Sequence, residues 1–359
     1  MSAQKDEGGA GARLGTRPLG RTALRVSELG FGGNALGNLY TAIDEGAARD
    51  AVLAAWQTGV AYFDTAPMYG HGLSERRIGD VLRTLPRDQL VLSTKVGRLL
   101  KPYGRVPPPR PSLAEGGIFT QELPFLPSFD FSYDATMRSM EDSLQRLGMN
   151  RVDILLIHDC DEWSQGERYP DALAAVERGA LKALEKLKAE GTIAAFGAGV
   201  NQAEACERLM DIGSFDCFML AGRYTLLEQG ALDTFLPRCG REGVSVILAA
   251  PYNSGILATG ACADARYNYA PAPPEVMSRV ARIQAVAASH RVPLAAAALQ
   301  FVLGHPCVAA VIPGSRSRAE AEENARLVRL PIPPAFWAEL VAAGLVRPDA
   351  PLPKSGASG

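Results

Sequence analysis

Eight short apolar runs recur along the chain and alternate with stretches of helical periodicity. They are SELGFGG near residue 27, VAYFD at 60, LVLSTK at 90, VDILLIH at 152, IAAFGAG at 193, FDCFML at 215, VSVILAA at 244 and CVAAVIP at 307. Within a run the apolar residues follow one another without the alternation of a half-exposed strand. That is the pattern of parallel strands covered on both faces. Helix signals lie between the runs. Asp44 and Glu45 open a helix through AVLAAW that stops at Gly59, and Ser132 or Asp134 caps one through MRSMEDSLQRLG that stops at Gly148. A third, ALKALEKLKAEG, places apolar residues at 181, 184 and 187 and ends on Gly191. Strands alternating with helices predict an α/β fold, and eight of them suit a closed (β/α)8 TIM barrel better than an open sheet. Two long connections stand out, a Pro/Gly-rich one at 101–130 and an irregular one at 251–274 after the seventh run. Long loops inside a compact domain are usually functional.

Composition narrows the picture. The 359 residues accommodate one barrel of about 250 residues with insertions and tails. Residues 1–16 and 348–359 are rich in Gly, Ser, Ala and Pro, so a disordered N-terminal tail, a single domain over 17–347 and a C-terminal tail are expected. Lys and Arg number 37 against 39 Asp and Glu, a net charge of −2. That leaves no basic excess to neutralise phosphates, so nucleic acid is not an expected partner. No apolar run reaches the roughly 18 residues of a membrane span, and MSAQKDEGGAGAR has no apolar core of a secretory signal. A cytoplasmic protein without membrane contact is expected. Six cysteines and four histidines show no metal-ligand spacing, so no metal is expected.

Three runs end on chemistry: VAYFD on Asp64, LVLSTK on Lys95 and VDILLIH on His158. In a barrel the C-terminal strand ends converge on the catalytic face. Lys95 admits two readings, a charged neighbour of Asp64 or a Schiff-base nucleophile of the aldolase kind. Gly30–Ala35 matches GxGxxG/A, but no helix follows at once and no acidic residue ends a strand about 20 residues on, so the dinucleotide-fold reading is set aside.

After Asp64 the chain continues FDTAPMYGHGLSE, with Tyr69 five residues beyond the Asp, then Gly70, and Ser74-Glu75 opening the next helix. Here the sequence resembles the aldo-keto reductases. The resemblance extends over roughly 17–345, from RPLGRTALRVSELGFG, similar to the family's N-terminal hairpin closing the barrel bottom, to IPGSRSRAEAEEN. It implies a catalytic tetrad of Asp64, Tyr69, Lys95 and His158. Tyr69 would carry the proton, Lys95 would tune it, Asp64 would anchor Lys95, and His158 would orient the substrate oxygen. The chemistry agrees, because a free Tyr with a pKa of about 10 is a poor base at neutral pH and a nearby cation favours phenolate.

The resemblance also implies NAD or NADP, held by the loops after strands seven and eight. Candidate contacts are Pro251, Asn253, Ser254, Gly255 and Leu257, then Pro313, Gly314, Ser315, Arg316, Glu320, Glu323 and Asn324, with Asn201 at the nicotinamide amide. Three positions depart from the family pattern. Asn201 is displaced by one in Gly-Ala-Gly-Val-Asn, Ala221 stands for the usual strand-six Gln, and Ala249 for the stacking aromatic. Where NADPH-preferring relatives carry cations, this chain has Gly314 and Glu320, although Arg316 and Arg318 lie in the same loop. Both cofactors are expected to work, with NAD somewhat favoured. HDCDEW, GAGVNQAEACERLM and APYNSGILATG resemble the subgroup of D-threo-aldose 1-dehydrogenases, L-fucose dehydrogenases and pyridoxal 4-dehydrogenases. That implies oxidation of a cyclic hemiacetal to a lactone. Pyridoxal oxidation, general aldehyde or ketone reduction and a non-catalytic nicotinamide-sensing role are the alternatives. Loops 97–131 and 252–272 are expected around the substrate, a sugar or pyridoxal-like small molecule, with Asn34, Tyr252, Asn253, Tyr267 and Tyr269 supplying polar contacts.

Overall fold

In the computed structural model, which describes residues 14–106 and 117–353, each apolar run contributes a strand. The strands are β1 (Gly30–Gly32), β2 (Tyr62–Asp64), β3 (Val91–Val96), β4 (Ile154–His158), β5 (Ala195–Val200), β6 (Cys217–Ala221), β7 (Ser245–Ala249) and β8 (Val308–Ile312). They pair in parallel in chain order. Parallel bridges from Leu29 to Val311 and from Gly32 to Gly314 join the first strand to the last, closing the barrel.

The unbroken apolar runs follow from two-sided burial. In β4, Ile154 and Leu156 face the barrel interior, while Leu155 and Ile157 pack outward beneath the helices. The interior is plugged from below by an antiparallel hairpin, Thr16–Pro18 with Arg25–Ser27, whose Leu19 and Val26 join Tyr62, Met219 and Ile247 in one buried cluster. The predicted caps form: Asp44 accepts from the Ala47 N–H, Ser132 accepts from the Ala135 N–H, and Gly148 ends its helix at φ 62°.

Both long connections contain regular structure. Arg98–Pro102 pairs antiparallel with Phe125–Phe129, and the chain between returns past Phe119, which bridges Leu39 of the first loop. Residues 107–116 of that connection lie outside the described residues. After β7 come a short helix, Ile256–Thr259, and a two-residue hairpin joining Arg266–Tyr267 to Ala270–Pro271 through Asn268 and Tyr269. The tail boundaries lie further out than the expected 16 and 348. Leu14 and Ala350 are buried on the core and Thr16 is already in a strand; residues 1–13 and 354–359 lie outside the described residues. GxGxxG/A runs from β1 into a 3-10 turn, Gly33–Gly37, rather than an α-helix, as its poor context implied.

The motif around Tyr69 is largely scaffold. Ser74 Oγ donates to the Gly33 carbonyl at 2.7 Å and bonds Thr65 at 2.9 Å, tying the first two loops together. Glu75, fully buried, accepts from Thr94 Oγ1 at 2.7 Å and from Arg146. Gly70 has φ 62° and touches Gly37, so a Cβ there would stand 2.6 Å from the Gly37 carbonyl oxygen. Gly70→Ala is therefore expected to lower stability by about 2 kcal/mol or more and to loosen the Tyr69 loop. A urea midpoint equal to wild type would show that the backbones need not approach so closely.

Candidate active site

The C-terminal ends of β2, β3 and β4 bring the predicted residues together. Asp64 and Lys95 are both buried, and Lys95 Nζ lies 2.6 Å from Asp64 Oδ2. The remaining polar atoms are also satisfied. Lys95 donates to the Thr65 carbonyl at 2.9 Å, Ser93 Oγ donates to Asp64 Oδ1 at 2.7 Å, and Tyr62 bonds Ser93 at 3.0 Å. Burial raises the Asp64 pKa above the ordinary carboxylate value, and Lys95 opposes that shift. The ion pair keeps the Lys95 ammonium engaged, so the nucleophilic reading, which needs a free amine lone pair, loses its support.

Lys95 Nζ sits 4.7 Å from the Tyr69 ring centre, and the His158 ring meets Tyr69 edge-on at 5.8 Å between centroids. The expected depression of the Tyr69 pKa does not result in the protein alone. Burial, with Asp64 and Asp159, drives it well above the usual phenol value, and Arg98 acts against them. Tyr69 therefore rests as a neutral phenol. His158 is pushed well below the usual imidazole range by burial and then by Lys95 and Arg98, so it is neutral at physiological pH. Its Nδ1 is buried without a hydrogen-bond partner.

These side chains line a cavity of about 280 Å³ with Leu39, Met68, Ile118 and Phe119 as its apolar wall. Two charged residues that the sequence reading did not single out also line it. Arg98 Nη2 pairs with Asp159 Oδ2 at 2.6 Å, and its guanidinium lies over the Phe129 ring at 3.9 Å. Asp159 was visible in HDCDEW next to His158, but only folding brings Arg98 beside it. Asn201 reaches the same cavity, where its side-chain amide bonds Asp159 and Asp161 at 3.2 and 3.1 Å. Ala221 and Ala249 line the cavity as small residues.

A second cavity, about 720 Å³, shares Asn34, Asn201, Tyr269 and Gly314 with the first and runs across the ends of β7 and β8. Pro251, Asn253, Ser254, Gly255, Arg316, Glu320, Glu323 and Asn324 line it. Leu257, Pro313 and Ser315 do not: Leu257 is buried in the core, the Pro313 carbonyl accepts from the Gly32 N–H, and Ser315 is buried against Asn324. Arg318 also turns away, to Gln57 and Glu322, which leaves Arg316 as the cation facing Glu320. Of the residues expected around the substrate, Asn34 and Tyr269 line the catalytic cavity, Tyr252 and Asn253 line the cleft, and Tyr267 lines neither.

A barrel whose strand ends carry a buried Asp–Lys pair, a tyrosine and a neutral histidine beside a long polar cleft defines an oxidoreductase of the aldo-keto type. Residues 28–344 match the Aldo/keto reductase family model, and the chain belongs to that family. It is 40% identical to the pyridoxal 4-dehydrogenase of Microbacterium luteolum, covering 92% of this chain and 97% of that one. It is equally 40% identical to the D-threo-aldose 1-dehydrogenase of a Pseudomonas species, over 92% and 98% of the two chains. An aldo-keto reductase from Bacillus halodurans, in its holo form, superposes with a TM-score of 0.69 at 24% identity, over 93% of this chain and 97% of that one. Aldo-keto reductases use NAD(P)H, and the cleft fits such a group. Its lining offers a guanidinium, side-chain amides and hydroxyls, open space at Gly255, and the N-terminus of the Arg318–Val328 helix.

Replacing Lys95 by Met isolates the role of the ion pair. The variant leaves Asp64 buried without its cation, a change expected to cost about 3–5 kcal/mol and to abolish turnover. The sign of its pH dependence follows from the raised Asp64 pKa. The folded state binds a proton that the unfolded state releases, so stability falls as pH rises from the unfolded carboxylate value through the folded one. Removing Lys95 extends that fall to higher pH. Urea titrations of both proteins across mildly acidic to alkaline pH test this, and parallel curves would show that Lys95 does not hold Asp64 ionised.

Proposed function

We propose that this aldo-keto reductase oxidises the hemiacetal hydroxyl of a cyclic aldose to a lactone, passing hydride to NAD or NADP. The observation that carries the reading is one cavity holding a protonatable tyrosine, a neutral histidine and a charged Arg–Asp pair. When bound, the nicotinamide supplies the hydride acceptor. The chain's own groups manage the proton and the orientation. His158, neutral, donates one hydrogen bond to the reacting oxygen and adds no positive charge beside Lys95. In oxidation Tyr69, after losing its own proton to solvent, takes the hydroxyl proton as the phenolate, and in reduction the neutral phenol donates that proton, with Lys95 stabilising the phenolate. Asp64, Ser93 and Thr65 fix Lys95 so that it serves Tyr69 and does not attack the substrate.

The names of the two 40%-identical relatives support a ring hemiacetal, a form that both an aldose and pyridoxal adopt. Mass spectrometry of the products from a panel of aldoses and pyridoxal is expected to find lactones. An alcohol formed from open-chain aldehydes, with no lactone in the oxidative assay, would sink the reading. Because Tyr69 rests as a phenol held above its usual pKa, kcat/KM for oxidation is expected to rise with pH across the neutral and alkaline range. Tyr69→Phe is expected to nearly abolish turnover while nicotinamide binding persists.

For cofactor choice the Arg316–Glu320 contact is central. Glu320 accepts from the Arg316 backbone N–H at 2.8 Å and pairs with its guanidinium at 3.2 Å, so the loop's cation is already matched by an anion. A ribose 2′-hydroxyl is tolerated there better than a 2′-phosphate, which favours NAD. Glu320→Gln keeps a side-chain acceptor for the Arg316 N–H and removes the charge. It is expected to shift kcat/KM several-fold toward NADP, and Arg316→Ala to weaken NADP more than NAD. A wild-type preference for NADP that Glu320→Gln leaves unchanged would refute the role given to Glu320.

A further inference from the structure

Asp159 carries more structure than a residue that merely follows the catalytic histidine. Its backbone lies at φ 53°, a left-handed conformation that few non-glycine residues adopt, while its N–H donates to the Gly199 carbonyl at 2.8 Å. The chain thus turns sharply where β4 ends, and the side chain lines the catalytic cavity. There the carboxylate is braced from two sides. Arg98, buried, holds Oδ2 at 2.6 Å, and the Asn201 amide holds Oδ1 at 3.2 Å. A carboxylate offers about four acceptor positions, and these two bonds leave others for the cavity, to which 18% of the side chain is exposed.

Position decides what those acceptors meet. Asp159 Oδ2 stands 3.5 Å from His158 Nε2. Neighbouring hydroxyls on a sugar ring are separated by about a hydrogen-bond length. A ring whose reacting oxygen is held by His158 Nε2 can present its next hydroxyl to Asp159, with Phe119 and Met68 on the apolar wall available to its C–H face.

We propose that Asp159, braced by Arg98, binds the hydroxyl on the carbon adjacent to the one oxidised and so selects hemiacetals that are vicinal diols. The inference rests on the aldose reading above and specifies it. A sugar with a free 2-hydroxyl satisfies the carboxylate. A 2-deoxy sugar leaves a desolvated anion unmatched, and pyridoxal carries its phenolic hydroxyl one atom further from the reacting carbon. Sites built to bond a substrate hydroxyl reject analogues lacking it far more strongly than apolar pockets reject a missing methylene.

The test compares kcat/KM for L-fucose and D-arabinose with their 2-deoxy analogues. It uses the wild-type enzyme and Asp159→Asn, with nicotinamide binding followed by fluorescence and products by mass spectrometry. The wild-type enzyme is expected to disfavour the 2-deoxy sugars by about a hundredfold or more. Asp159→Asn is expected to narrow that ratio at least tenfold while nicotinamide affinity stays within a factor of two or so of wild type. A merely structural role for Asp159 would lower both sugars alike and leave the ratio intact, which would overturn the proposal. Lactone formation with equal use of both sugars by the wild-type enzyme would overturn it too, leaving the aldose reading in place. That comparison needs no variant, so a poorly folded Asp159→Asn does not remove the test. Oxidation of pyridoxal with no aldose turnover would remove both readings together.

Discussion

The candidate active site is organised around a cation and an anion buried together at the top of a barrel. Desolvating two ions costs several kcal/mol each, and their attraction offsets this only when the geometry is tight and every remaining polar atom is bonded. Here the two charges are 2.6 Å apart, with Ser93 on the free carboxylate oxygen and the Thr65 carbonyl on the ammonium. Those partners come from adjacent strands whose register places Asp64 directly beside Ser93. A slip of β2 by one residue would turn Asp64 to the other face of the sheet and leave Lys95 unmatched in the core. The pair therefore constrains the alignment of β2 on β3, and Tyr69, on the loop leaving β2, inherits its position from that alignment.

Much of this was legible in the sequence because it is local. Parallel strands buried on both faces write continuous apolar runs, and a polar residue ending such a run is conspicuous, which is how Asp64, Lys95 and His158 could be read together. Tyr69, Gly70, Ser74 and Glu75 lie within one short segment, so their spacing survives in the chain. The structure shows why that segment is so constrained. Gly70 must meet Gly37, Ser74 must tie to Gly33, and Glu75 must neutralise Arg146 inside the protein.

What was not legible depends on distant parts of the chain or on side-chain direction. Arg98 is two residues past the end of β3, and nothing local says that it will reach Asp159 on β4's far side of His158. Leu257 and Arg318 lie in segments whose neighbours line the cleft, yet one turns into the core and the other toward Gln57. Loop membership does not fix direction. The phenol of Tyr69 shows the same limit in electrostatics. A nearby lysine suggests a lowered pKa, but in the folded protein burial and two carboxylates raise it, and the cation that opposes them is Arg98. Which influence wins depends on distances that sequence spacing does not encode.

The arrangement also separates chemistry from choice of substrate. The groups proposed to handle the proton sit on or next to strand ends, where the sheet fixes them; the rest of the cavity wall comes mainly from connections. Arg98 begins the hairpin that follows β3, Phe119 returns from the same connection, and Tyr269 sits at the tip of the hairpin after β7. That tip is itself anchored, with Arg223 donating to Asn268 at 3.0 Å and the Tyr269 N–H bonding Ser254 at 3.2 Å. Ser254 lines the long cleft and Tyr269 lines both cavities. Any movement of the hairpin would therefore be felt at both the long cleft and the smaller cavity. Asp159 is the exception that joins the two groups of residues. It is fixed by a strand end yet lines the cavity, and because its carboxylate also raises the Tyr69 pKa, a change there would act on Tyr69 as well as on the proposed substrate hydroxyl.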